Sequence, residues 1–227
     1  MPPLVLLAGM NCTADLWTGC GLDDALTPVL DESSVVRQVD RLLSELPPLF
    51  VLGGLSLGAV VAMALAARAP ERVAALCLVS TNAKGPTPAQ YAEWTEWIER
   101  LDAGKSPRDL QAGILPALLS PSALSDHPEL ADRALAMADG TGSTVLRRQL
   151  EMQTTRTDLR PDLPRVEVPT LVVSGSQDAI CPPEFHADIA SRLPRGRVVT
   201  LDGGHLLPLE RPEAFGGLVR MWRERSS

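Results

Sequence analysis

Leu49-Phe50-Val51-Leu52-Gly53-Gly54-Leu55-Ser56-Leu57-Gly58-Ala59-Val60-Val61-Ala62-Met63-Ala64-Leu65-Ala66-Ala67-Arg68 passes from strand to helix through a serine flanked by glycines. Pro47-Pro48 ends the helix before it, and the short apolar run Leu49 to Leu52 reads as a buried strand. Leu57 to Arg68 reads as an Ala-rich helix, apolar nearly all round and therefore buried against a sheet. Between them, Gly54-x-Ser56-x-Gly58 sets a serine hydroxyl on a sharp, strained turn above the sheet edge. Side chains two positions to either side of that serine would clash, which accounts for both glycines. The helix N-terminus beneath it offers backbone N–H donors and a positive dipole end to a developing oxyanion. Two plainer readings exist. One is a Gly-rich turn that only lets helix and strand pack closely, and the other is a phosphate cradle. The cradle wants the lysine of G-x-x-x-x-G-K, and no lysine is near.

Short apolar runs alternate with amphipathic stretches along much of the chain, the pattern of a parallel α/β sheet. Leu4 to Ala8, Val35-Val36, Val73 to Val79, Leu171 to Ser174 and Val198 to Leu201 are the other expected strands. Val39 to Glu45, Pro183 to Arg192 and about Pro212 to Arg223 are expected helices. The fold class is α/β, a mainly parallel sheet of about six strands flanked by helices. Residues 82–164 break the alternation. Thr87-Pro88 is an N-cap with proline at the first helical position, and Tyr91, Trp94, Ile98 and Leu101 share a face of the helix that follows. Pro107 to Leu119, Pro128 to Ala138 and Thr144 to Thr155 are further helices. The chain therefore divides into a core of residues 1–81 and 165–227 and a helical insertion of residues 82–164.

A serine nucleophile needs a base, and the chain has three histidines. His127 precedes Pro128 as a loop or cap residue, and His186 sits at a helical position near Phe185 and Ile189. His205 follows an expected strand in the loop Asp202-Gly203-Gly204-His205. Loops at the carboxyl ends of parallel strands gather at one sheet edge, where the Ser56 turn also lies. Asp178 follows Leu171 to Ser174 at the same edge and is the carboxylate to orient the imidazole. The loop after Val79 reads Ser80-Thr81-Asn82 and holds no acid, whereas Asp202, three residues before His205, shapes its turn. The plainer readings are an N-cap or Asx-turn for Asp178 and a locally bonded loop residue for His205.

Twenty-one basic against 28 acidic residues give a net charge of −7, with no basic patch to attract nucleic acid or an anionic membrane. The longest uncharged apolar run, Leu55 to Ala67, is too short to span a bilayer. The N-terminal residues lack the basic region of a secretory signal. Cys12, Cys20, Cys77 and Cys181 form no C-x-x-C pair, so a metal cage is not expected. They read as free thiols of a cytoplasmic protein, with a Cys12–Cys20 disulfide as the minor alternative.

The chain resembles the α/β-hydrolase superfamily. Three segments carry the likeness: Gly53-Gly54-Leu55-Ser56-Leu57-Gly58; Gly175-Ser176-Gln177-Asp178 followed by Pro182; and Gly204-His205-Leu206-Leu207-Pro208-Leu209-Glu210-Arg211-Pro212. Leu7-Ala8-Gly9-Met10, followed by Leu16-Trp17, is similar to the family's oxyanion loop, although the usual His before the glycine is Ala8 here. The resemblance implies a catalytic triad of Ser56, Asp178 and His205, and an oxyanion hole from the Met10 and Leu57 amides. It makes residues 82–164 a cap, with Trp17, Trp94, Trp97 and Leu206 as substrate-pocket residues. For Trp94 and Trp97 the alternative is that they only join cap to core. The implied activity is hydrolysis of a modestly hydrophobic ester, thioester or lactone, free or carrier-bound, with no metal or organic cofactor. Acyl transfer, cyclisation and C–C bond cleavage on the same triad, or non-catalytic binding of a small molecule, are the alternatives. No nucleic-acid or membrane partner is expected, and the chain is a monomer or homodimer.

Overall fold

The computed structural model describes residues 2–226. Five parallel strands form one sheet in the order β1 (Leu4–Leu7), β2 (Phe50–Leu55), β3 (Val73–Val79), β4 (Thr170–Gly175) and β5 (Gly196–Leu201). Residues in β1, β2 and β4 are buried throughout, as their unbroken apolar runs require when helices cover both faces. Strand β5 is the half-exposed edge. Beyond β1 an isolated parallel bridge joins Val5 to Leu26, in place of a sixth strand.

Val35-Val36 is not a strand, as the sequence suggested, but the start of helix α1 (Val35–Glu45). The Ser34 side chain caps it by accepting from the Arg37 N–H at 3.2 Å. Val35, Val39 and Leu42 then fall on one buried face, while Val36 is 62% exposed. A cap and a helical period override the β-branched preference of two adjacent valines.

Helices α1, α2 (Leu57–Arg68) and α7 (Pro183–Arg192) cover one face of the sheet, with Val39, Val61, Leu65 and Ile189 in a common core. The short helix Ala14–Trp17, α8 (Leu207–Glu210) and α9 (Pro212–Ser226) cover the other, around Leu16, Leu209 and Phe215. Between β3 and β4 the chain forms α3 (Pro88–Asp102), α4 (Pro107–Leu118), α5 (Pro121–Asp126) and α6 (Pro128–Thr154). Proline opens each of these helices, and Thr87 and Ser106 cap α3 and α4 through reciprocal capping boxes with Gln90 and Asp109. The two helices expected over 128–138 and 144–155 are both present and run end to end as α6 across a kink at Gly142, whose backbone is non-helical (φ 73°, ψ 160°).

Helix α2 reaches the sheet at very close range. A Cβ on Gly58 would overlap the Leu7 carbonyl oxygen and lie 2.6 Å from that of Ala8; one on Gly54 would lie 2.6 Å from Ala59 N. Gly58→Ala is therefore expected to destabilise the protein by more than about 3 kcal/mol in urea unfolding, because only backbone could move aside. Gly113→Ala, in the interior of α4 where a Cβ meets nothing within 4 Å, is expected to stabilise it by about 0.5–1 kcal/mol.

Candidate active site

The turn after β2 holds Ser56 at φ 54°, ψ −114°, a conformation that a residue with a side chain adopts only under strain. The Ser56 N–H donates to Val79 O at 2.9 Å, and its carbonyl accepts from Val60 N at 3.0 Å and from Thr81 Oγ1 at 3.2 Å. Its hydroxyl makes no capping bond to α2, so the first N–H groups of that helix are left without a side-chain partner.

The loop after β4 carries Asp178 and the loop after β5 carries His205. Imidazole Nδ1 lies 3.0 and 2.9 Å from the two carboxylate oxygens of Asp178, and these side chains are 4% and 0% exposed. Asp178 Oδ1 also accepts from the Ile180 and Cys181 N–H groups at 2.9 and 2.8 Å. One carboxylate thus makes both the turn bonds to its own loop and the bond to His205. Burial would push its pKa up, but the His205 charge and hydrogen bond and the two N–H groups outweigh this and hold it below 3.8.

The two loops are fastened to each other. Gln177 N donates to Gly203 O at 2.9 Å, and Gln177 Nε2 donates to Asp202 Oδ1 at 2.8 Å, so the Asp202 side chain bonds across to the loop after β4 and not within its own turn. Glu210 then ties the histidine loop to the helical insertion. Its Oε1 accepts from the Gly204 and Ser120 N–H groups, both at 3.0 Å, and its Oε2 from Ser120 Oγ at 2.6 Å.

Ser56 and His205 open onto one cavity of about 210 Å³ beneath the insertion, walled also by Met10, Trp94, Trp97 and Leu206. Met10 follows Gly9 and precedes Asn11, whose φ of 58° turns the loop. Asn11 is gripped by the insertion: its N–H donates to Gln149 Oε1 at 2.8 Å, and its Nδ2 to Pro107 O and Gln111 Oε1 at 3.1 and 3.0 Å. Leu57 buries its side chain in the core and places its N–H at the start of α2.

Trp17, expected in the pocket, is not on this wall. The 3-10 turn Ala14–Trp17 swings it onto the other side of the sheet, where it stacks on Phe215 of α9 with ring centroids 5.9 Å apart. Trp94 and Trp97 line the cavity and also join Leu110, Leu146 and Leu150 in the insertion's own core. His127 is exposed and faces Glu129. His186 is fully buried, and its Nε2 accepts from the Thr81 N–H at 2.9 Å, steadying the loop after β3; burial lowers its pKa. All four cysteines are free and buried, and burial pushes the Cys181 thiol, on the cavity wall, up to about 12. That leaves Cys181 protonated and a poor nucleophile at neutral pH.

Sequence reasoning passed over the polar side of the cavity, formed by Asn82, Gln111, Gln153 and Arg156. Gln149, Gln153 and Arg156 recur at helical spacing, a signal that was present but that ordinarily marks a solvated face. Among the described residues no helix is long and apolar enough to cross a membrane.

A strained serine at a strand–helix elbow, lining one cavity with a histidine that is paired to a buried aspartate, is the arrangement of a hydrolase built on a parallel sheet. The alpha/beta hydrolase family model matches residues 12–217, and the chain belongs to that family. It is 31% identical over 252 aligned positions to a pimeloyl-[acyl-carrier protein] methyl ester esterase of Aromatoleum aromaticum, covering 96% of each chain. It is 29% identical to the putative non-heme bromoperoxidase BpoC of Mycobacterium tuberculosis, over 93% of this chain and 82% of that one. In structure it is similar to a malate-bound thermophilic esterase from Thermogutta terrifontis, with a TM-score of 0.91, 26% identity and coverage of 100% and 90%.

Because folding lowers the Asp178 pKa, its ionised form stabilises the fold fully above about pH 5, and that contribution is lost as pH falls through 3.8 towards the folded value. Urea unfolding of wild type and Asp178→Asn should therefore differ most at neutral pH, with the gap narrowing below pH 3.8.

Proposed function

We propose that this protein hydrolyses a carboxylic ester or thioester through an acyl-enzyme formed on Ser56. The observation that carries the reading is the buried His205–Asp178 pair opening onto the same cavity as a serine held at φ 54°. Ser56 Oγ attacks the carbonyl while His205 Nε2 takes its proton, then returns one to the departing alcohol or thiol. Asp178 fixes the Nδ1–H tautomer and stabilises the imidazolium. The amides of Met10 and Leu57 receive the oxyanion, the latter aided by the positive end of α2. Water, activated by the same histidine, releases the acid.

Residues 82–164 act as the cap, and Trp94, Trp97 and Leu206 give the cavity an apolar wall suited to a small, modestly hydrophobic substrate. The relatives named as esterases support ester cleavage over the other reactions this fold hosts. Buried thiols that form no disulfide suit a reducing cytoplasm.

A fluorophosphonate probe should label the wild type at one equivalent and leave Ser56→Ala and His205→Ala unlabelled. Both variants should lose at least about 10³-fold in kcat on p-nitrophenyl acetate, Ser56→Ala with the wild-type thermal midpoint and His205→Ala with a lower one, because it leaves the Asp178 carboxylate buried without its partner. Full labelling of a folded Ser56→Ala protein would remove the serine from its role.

A further inference from the structure

Arg156, just past the end of α6, lines the cavity that holds Ser56 and His205 yet is only 9% exposed. Its Nη1 donates to Gln153 Oε1 at 3.1 Å, and its Nη2 donates to Asn82 Oδ1 and Lys84 O, both at 3.3 Å. All three acceptors are neutral, and the Nε–H has no partner. A guanidinium has five donors and keeps its charge, so burying one without a carboxylate is costly, and such residues are almost always paired.

Among the described residues no acid answers that charge. Asp178 is committed to His205, and Glu93, the carboxylate on the cavity lining, is exposed at the rim. The groups whose fields reach Arg156 are a thiol, Cys181, and a phenol, Tyr91; burial dominates and lowers its pKa. The carbonyl end of α6 offsets part of the charge, since a helix terminus carries about half a unit. Lys84, the neighbouring cation, rests its ammonium over the Phe185 ring at 4.2 Å. The polar neighbours Gln111 and Gln153 are amides, and Gln111 Nε2 is a second buried donor on this cavity without a partner.

We propose that the missing counterion is the substrate's own: the cavity takes an ester that also carries a free carboxylate, which Arg156 receives while Ser56 attacks the ester carbonyl. Half-esters of short dicarboxylic acids are the simplest members of this class. A cavity of about 210 Å³ suits a compact acid of this kind, and one guanidinium among amides matches a monoanion. The proposal rests on the esterase reading of Ser56, His205 and Asp178 and names the substrate class of that same site.

The test compares monomethyl esters of succinate, glutarate and adipate with the dimethyl esters of the same acids, on wild type, Arg156→Gln and Arg156→Lys. The wild type should prefer at least one half-ester over its neutral counterpart. Arg156→Gln should lose about 100-fold in kcat/KM on that half-ester and stay within about threefold on the diester. Arg156→Lys should recover part of the loss. Calorimetry should show the corresponding free dicarboxylate binding to wild type and not to Arg156→Gln, a readout independent of turnover.

A wild type that favours every diester, or an Arg156→Gln that loses half-ester and diester alike with its thermal midpoint unchanged, overturns the proposal; the latter makes Arg156 a tie between α6 and the Asn82–Lys84 segment. Should the wild type fail to take up the fluorophosphonate probe, the esterase reading itself fails. Calorimetric binding that depends on Arg156 would in that case still establish the anion site.

Discussion

Helix α2 meets the carboxyl end of β1 with no room for a side chain between them: the backbone of Gly58 rests on the carbonyls of Leu7 and Ala8. That contact sets how far the chain must turn after β2, and so forces Ser56 to a positive φ. It also brings the start of α2 beside the loop Gly9-Met10, so that serine, helix end and loop converge on one point. Gly54 makes the reciprocal approach from the strand side, against Gly58 and Ala59. The strain at Ser56 is held by packing over two faces of a buried sheet, where relaxation would open voids among Leu7, Leu57 and Val61.

The remaining groups reach this point from segments far apart in sequence, and buried polar ties hold them in register. The carboxylate of Glu210 joins the histidine loop to the N-cap of α5. Asn11 joins the Met10 loop to α4 and α6. His186 joins the loop after β3 to α7. Each tie is shielded from water, where a hydrogen bond is strengthened and a lost partner is expensive. The insertion is therefore fastened to the sheet at the two loops that matter most to the site, the one bearing Met10 and the one bearing His205.

Local chemistry made much of this legible in the amino-acid order. Unbroken apolar runs identify strands covered on both faces, and the glycines around Ser56 identify the elbow, because both depend on near neighbours in the chain. Chain order and the gathering of loops at one sheet edge were enough to bring His205 and Asp178 together. Val35-Val36 misled because a cap three residues from Arg37 outweighs two β-branched residues. Trp17 misled because its direction depends on a 3-10 turn and on Phe215, some two hundred residues away. Arg156 and the glutamines stayed hidden for a different reason. Their polarity is that of a solvated surface, and only the assembled fold shows that they face inward.

The interruption of α6 at Gly142 divides that helix between two loyalties. Its first half commits Ala134 and Met137 to the apolar layer against α4, α5 and the sheet, while its second half buries Leu146 and Leu150 in the insertion's own core, brings Gln153 to the cavity and leads into Arg156. Because the break uncouples their rotation, a change on the inner surface of the second half need not unseat the first. A substitution at Gln153 or Arg156 thus reshapes the cavity wall alone, whereas one at Gln149, on the same half, also loosens the hold on Asn11.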